Sequence, residues 1–415
     1  MVMPSAWMIL PFGLLLITIG LCPLLSPDWW QRHYTKVAFG LGAITLCYYV
    51  FILKNAGRAL HTAHDYASFI ILIGSLFTVS GGIHIIVKGE ATPLGNVAFL
   101  LVGAVIANLL GTTGAAMLLI RPWIGMNQTR VKSYHIAFFI FIVANVGGCL
   151  TPIGDPPLFL GYLEGVPFWW VAKNCWPMWA TGLSILLLLF YFLDRNNFSR
   201  VIHKSRESHT ETWKFAGRTT LLFLAAILGA LFINQPRFLR ELIMLAAAFG
   251  SYFTTNKSVH EANHFNFHPL REVAVLFAGI FATMMPALDW LSGNAREVLG
   301  ANPTPGEFFW STGGFSSVLD NAPTYLGFLS ALSGTTRLYD ISDLLAHNSA
   351  HILAISIGAV FFGAATYIGN GPNFMVKSIA DQNKIPMPTF PGFIFKFALP
   401  FLLPVLIAVW WRFFK

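Results

Sequence analysis

Long apolar runs separated by short polar stretches make up most of the chain, and these runs set the predicted elements. A run of roughly 18 or more apolar residues predicts a membrane-spanning helix. Unbroken spans are predicted near 4–25, 35–53, 66–87, 176–193, 219–233, 238–254, 273–291 and 393–414. The runs 134–163 and 348–381 are apolar at both ends but interrupted in the middle. In the first, Gly147, Gly148, Pro152, Gly154, Pro156 and Pro157 crowd one segment, a density of breakers that no continuous helix tolerates. The runs 95–124 and 306–335 carry small or polar residues at their centres and are predicted to turn back as re-entrant helical hairpins. The one long polar stretch, 194–218, contains Arg195, Arg200, Lys204, Arg206, Lys214 and Arg218, and the boundary between two halves is expected there.

The halves repeat. Thr151-Pro-Ile-Gly-Asp-Pro-Pro-Leu-Phe159 aligns with Thr366-Tyr-Ile-Gly-Asn-Gly-Pro-Asn-Phe374, placing Asp155 over Asn370. Asn108-Leu-Leu-Gly-Thr-Thr-Gly-Ala115 occupies the place of Ser317-Val-Leu-Asp-Asn-Ala-Pro-Thr324, and Gly74-Ser-Leu-Phe-Thr78 that of Gly279-Ile-Phe-Ala-Thr283. Each half has an odd number of crossings plus a hairpin, so the second half is expected to run inverted relative to the first. The predicted fold is an all-α polytopic membrane protein of two inverted repeats. The first covers 1–193, with scaffold spans 4–53, hairpin 95–124 and broken helix 134–163; the second covers 219–415, with hairpin 306–335 and broken helix 348–381. Most of the basic residues fall on one side if 194–218 is a cytoplasmic linker, which predicts external N- and C-termini.

Composition narrows the class. The 415 residues are 55% hydrophobic and only 11% charged, so a soluble enzyme or a nucleic-acid binder is not expected despite a formal charge of +8. The first span lacks a basic start and a cleavage site, and reads as a retained helix. Cys22, Cys47, Cys149 and Cys175 lie in or beside apolar runs without CxxC spacing, as membrane-embedded side chains would. Paired tryptophans at Trp169-Trp170 and Trp410-Trp411 fit an interfacial belt.

Chemistry concentrates at the breaks. Unwound backbone at membrane depth is tolerated only where protein or a hydrated cavity satisfies it, and an acid at such a break points to an ion or solute site. The candidate ligands are Asp155, Thr151, Asn145, Thr112 and Thr113 from the first half. The second half offers Asp320, Asn321, Thr324, Thr366, Asn370 and Asn373. These are hard oxygen donors suited to Na⁺ or H⁺, with Na⁺ expected near Asp155, Asn145 and Gly148. Asp155-Pro-Pro and Asp320-Asn-Ala-Pro also read as helix N-caps. A cap returns ~1 kcal/mol, whereas an ionised Asp at the bilayer centre costs roughly 2.5–3.5 kcal/mol, so the functional reading leads for both acids. Glu272 reads as a first-turn helix residue, Asp65 and Asp289 as wet span ends, and His84 and His135 as interfacial anchors. His347 and His351 share a helix face but lack the Glu of a zinc-enzyme motif.

At Gly111-Thr-Thr-Gly-Ala-Ala, Asn145-Val-Gly-Gly-Cys-Leu-Thr-Pro-Ile-Gly-Asp-Pro-Pro, Ser317-Val-Leu-Asp-Asn-Ala-Pro-Thr and Tyr367-Ile-Gly-Asn-Gly-Pro-Asn the chain resembles the ion transporter superfamily. That superfamily includes arsenite-efflux permeases, NhaD-type Na⁺/H⁺ antiporters and divalent-anion/Na⁺ symporters. The run from Glu272 to Met284 resembles chains labelled sodium:proton antiporters. The resemblance implies a homodimer whose scaffold spans frame a transport domain moving as an elevator. The chain lacks the Ser-Asn-Thr signatures of the dicarboxylate branch. The expected function is therefore Na⁺/H⁺ exchange in a bacterial inner membrane, with Na⁺ and H⁺ as the transported ions and no cofactor. A carrier of a carboxylate or arsenite is the alternative within the class, and an intramembrane enzyme the alternative from another.

Overall fold

The computed structural model describes residues 3–88, 92–202, 212–233, 235–236, 238–300 and 302–415. The protein is a multi-pass helical membrane protein: among the described residues, eight helices are long and apolar enough to cross a bilayer. Helices α1 (Leu10–Leu25), α2 (Pro27–Cys47) and α3 (Ala56–Gly81) come first. Strand β1 (His84–Lys88) and helix α4 (Pro93–Met126) follow, then α5 (Ser133–Ile142), α6 (Pro156–Leu163) and α7 (Phe168–Ile202). After β2 (Thr212–Ala216) come α8 (Thr220–Ala230), α9 (Leu239–Thr254), the short α10 (Lys257–Ala262) and α11 (His268–Leu299). The chain continues through α12 (Pro305–Val318), α13 (Asn321–Thr336), α14 (Ile341–Gly363) and α15 (Gly371–Gln382) to a last crossing, Phe390–Phe413.

Local chemistry sets several boundaries that hydropathy misplaces. Helix α3 starts at Ala56, ahead of its apolar run, because the Asn55 side chain accepts from Arg58 N at 3.2 Å. The polar stretch 194–218 is not uniformly a linker. Helix α7 runs on to Ile202, and 212–216 pairs antiparallel with 84–88, His84 facing Ala216 and Lys88 facing Thr212. Lys204 and Arg206 of that stretch lie outside the described residues.

Helices α2 and α11 pack through small residues: a Cβ on Gly279 would lie 2.9 Å from the Ala38 methyl, and one on Gly42 3.3 Å from that of Ala282. Small side chains allow such close approach and the dispersion contacts that hold helices together in lipid. Polar bonds reinforce the pair at one end. Asp289, expected wet, accepts from Tyr49 at 2.7 Å and pairs with Arg58 at 3.2 Å. On α1, Leu10, Leu14, Ile17 and Leu21 form an exposed apolar stripe, as a lipid-facing helix requires. Helix α5 is the opposite case, buried from His135 to Ile142 and apolar but for His135.

The chain folds back on itself in two helical pairs. In α4, Asn96 donates to Asn127 at 2.8 Å and Phe99 stacks on Trp123 with ring centroids 5.4 Å apart. A straight helix would separate Asn96 and Asn127 by about 46 Å, so α4 folds back on itself at Gly111, where φ is +74°. Helices α12 and α13 fold back likewise, bringing Phe308 within 6.3 Å of Phe328, ring to ring. A buried polar cluster ties the base of the first hairpin. Asp194 on α7 accepts from Asn96 (2.8 Å), Tyr134 (2.9 Å) and the Arg130 guanidinium, with His135 Nε2 at 3.1 Å. His135, expected at the interface, and Asp194, expected at the start of the linker, are both fully buried.

Candidate functional site

The α-helices are interrupted between Ile142 and Pro156 and between Gly363 and Gly371, and the two breaks are built alike. In the first, the Thr151 hydroxyl donates to Asn108 O at 2.6 Å and accepts from Gly154 N at 3.1 Å. In the second, the Thr366 hydroxyl donates to Ser317 O at 2.6 Å and accepts from Gly369 N at 3.0 Å. Each threonine thus staples its break to the hairpin of its own half. The aligned positions Asn108 and Ser317 supply the two carbonyls. The first break closes so tightly that a Cβ on Gly154 would lie 2.0 Å from Gly148 O, leaving room only for glycine. Asn108, not among the expected site residues, splints it further, donating to Gly147 O at 2.6 Å and accepting from Leu150 N at 2.8 Å. Its signal in the sequence was its alignment with Ser317.

The breaks and hairpin tips meet at Asp155. Its carboxylate is fully buried, with Oδ1 accepting from Thr112 (2.7 Å) and Asn370 (2.8 Å) and Oδ2 from Asn321 (2.6 Å). One ligand therefore comes from each hairpin and one from the opposite break. All three donors are neutral, and among the described residues no basic side chain forms an ion pair with Asp155. Although Asp155 precedes α6, its side chain makes no capping bond to that helix. An outer ring of amides holds the network. Asn145 donates to Asn373 at 2.7 Å and accepts from Asn370 at 3.2 Å, while Asn373 donates to Gly363 O (2.7 Å) and Thr366 O (2.8 Å).

Among the described residues of this network, Asn321 Oδ1 is buried without a hydrogen-bond partner, although its amide nitrogen is bonded to Asp155. An orphaned acceptor beside an uncompensated carboxylate is a donor set for a hard cation. Gly148, grouped with this site from the sequence, packs against Thr112, whose Cγ2 would lie 2.6 Å from an added Cβ. Among the described residues no three His, Cys, Asp or Glu side chains cluster, and the polar groups around Asp155 are amides and a hydroxyl.

Three expected site residues make no hydrogen bond to Asp155, although Asp320 lies close enough for its charge to act on that acid. Asp320, part-exposed, caps α13 by accepting from Ala322 N at 3.0 Å. Thr324 donates to Asp320 O one turn back at 2.9 Å. Thr113 faces a narrow cleft against α3 with Leu72, Leu76 and Ile153. For Asp320 the capping bond predicted as the plainer reading is present; for Asp155 it is not.

A comparison of the sequence with curated proteins finds no match. The family model described as "Putative citrate transport" matches residues 2–414, and the chain belongs to that family.

Proposed function

We propose that this protein is a secondary transporter of a polycarboxylate of the citrate class, coupled to a cation held at Asp155. The observation that carries the reading is the Asp155 carboxylate, fully buried and bonded to three neutral donors. A buried charge without a partner costs several kcal/mol. A co-transported Na⁺ or a proton on Asp155 removes that cost, and a cation there would also offset the charge of an incoming polyanion. Asn321 Oδ1 is the natural second ligand. Asn321 of α13 and Asn370 of the second break already donate to the Asp155 carboxylate, so amides brought together from distant parts of the chain can bind a carboxylate without the local Ser-Asn-Thr signature. The family match moves the reading from Na⁺/H⁺ exchange, expected from the sequence, to its alternative, a carboxylate carrier. It also favours a transporter over an intramembrane enzyme.

The matched staples at Thr151 and Thr366 support a two-fold internal repeat, which we take as inverted and as the basis of alternating access by an elevator movement. The test is uptake of labelled citrate into proteoliposomes under a Na⁺ or pH gradient. Gradient-dependent uptake is expected. Failure to take up citrate, together with cation-triggered proton movement, would return the reading to exchange.

A further inference from the structure

Helix α3 is hydrogen-bonded to α9 and α11. Tyr66 donates to Ala274 O of α11 at 2.9 Å, and Ser68 and Ser75 donate to Glu241 (2.8 Å) and Met244 O (3.1 Å) of α9. Toward α6 it presents an apolar stripe, and among the described residues no hydrogen bond joins α3 to α6. Along that seam lie two hollows. The outer one, about 880 Å³, is lined by His61, His64 and Asp65 of α3, Tyr162 at the end of α6, and Arg240. The inner one, about 30 Å³, is lined by Leu72 and Leu76 of α3, Phe159 of α6, and Thr112 and Thr113 of the hairpin tip. One face of α3 (61, 64, 65, then 69, 72, 76) and one face of α6 (162, then 159, 156) line both hollows, so they lie on a single track.

Between the hollows the track is shut by Phe69 and Phe159, both buried, with ring centroids 6.3 Å apart. Phe69 is fixed to the scaffold side, stacked on Phe277 at 4.8 Å and lying 5.6 Å from Phe281. Phe159 sits on the short helix that follows Asp155. We infer that the α3–α6 seam is the gated route from the outer vestibule to the Asp155 network, with Phe69–Phe159 as its closed gate. Apolar constrictions of this kind exclude water and ions until they part. The vestibule combines two histidines and Arg240 with apolar walls, although Arg240 is shared with Glu241 at 2.6 Å and His61 with Asp65 at 2.9 Å. It is wide enough to receive a hydrated polycarboxylate, the substrate class that rests on the function proposed above.

The test is site-resolved labelling of full-length protein in proteoliposomes with a membrane-impermeant maleimide, read by mass spectrometry. His64→Cys should label readily and Thr113→Cys slowly. Phe159→Ala should speed labelling at position 113 roughly tenfold, the upper end of what losing one aromatic pair gives. Phe159→Leu, a milder change that keeps the core filled, should give a smaller rise of the same sign, and citrate should slow labelling in both. An unchanged rate at position 113 in both Phe159 variants, or an unreactive cysteine at position 64, would overturn the gated route. A faster rate at 113 that citrate does not slow, in protein that does not take up citrate, would keep the route and overturn the substrate class.

Discussion

Two acids with the same local sequence logic have different surroundings. Asp155 and Asp320 each precede a helix with Pro in its first turn. Asp320 spends its carboxylate on the Ala322 amide, whereas Asp155 is turned inward to Thr112, Asn321 and Asn370. Replacing Asp320 by Ala should therefore cost about 1 kcal/mol, as the loss of an N-cap does. Asp320→Asn, which can still cap, should fold and transport normally. A folded Asp320→Asn protein without transport would give that acid a direct part in ion handling. Asp155→Asn is expected to fold, since Asn321 can turn its amide to present Oδ1, and to lose cation-coupled uptake. Transport assays on protein quantified in the membrane decide both, and wild-type coupling in Asp155→Asn would remove the proposed site.

At the scale of elements, the breaks and the hairpin base are the points where single changes should matter most. Gly111 turns α4 back with φ +74°, and an added Cβ would lie 3.2 Å from Ile153 O, so Gly111→Ala is strained by conformation as well as space. Gly154→Ala should be worse, because its contact with backbone, Gly148 O, is far closer, at 2.0 Å. Both are expected to lower the unfolding temperature in detergent, the second to the point of poor expression. The Asp194 cluster joins α4, α5 and α7 into one body. Asp194→Asn removes the carboxylate from the buried Arg130–Asp194 pair and should cost about 3–5 kcal/mol. Thermal unfolding followed by intrinsic tryptophan fluorescence measures it, and a shift no larger than that of a surface substitution would show the cluster to be dispensable.

For the whole molecule, the expectations concern sidedness and assembly. An inverted repeat puts 194–218 and the C-terminus on opposite sides of the membrane, with the basic stretch inside. Cysteines at Ser205 and Lys415 should therefore label from opposite faces, and labelling from one face would refute inversion. A rigid frame is expected from two copies packed through scaffold spans. Mass measurement of active protein in lipid should give a dimer, and an active monomer would leave α1 to α3 of one copy as the whole frame.

How much of this was legible beforehand depends on the range of the interaction responsible. Helix breakers act on their own residues, so the breaks near Asp155 and Asn370 could be read from Gly and Pro alone, and the membrane class from the length of the apolar runs. Local sequence repetition also showed: the alignment of Thr151 with Thr366 and of Asn108 with Ser317 reappears as paired hydrogen bonds. Hydropathy, by contrast, sees only average polarity. It ended a span before Asp194, because it cannot register that Arg130, Tyr134 and His135 return to neutralise that acid inside the fold. Nor could the chain alone say which of two similar acids would cap a helix and which would be buried. That choice was made by Thr112 and Asn370, brought to Asp155 from 43 and 215 residues away. A hydrogen bond closed over such distances along the chain exists only once the helices have packed.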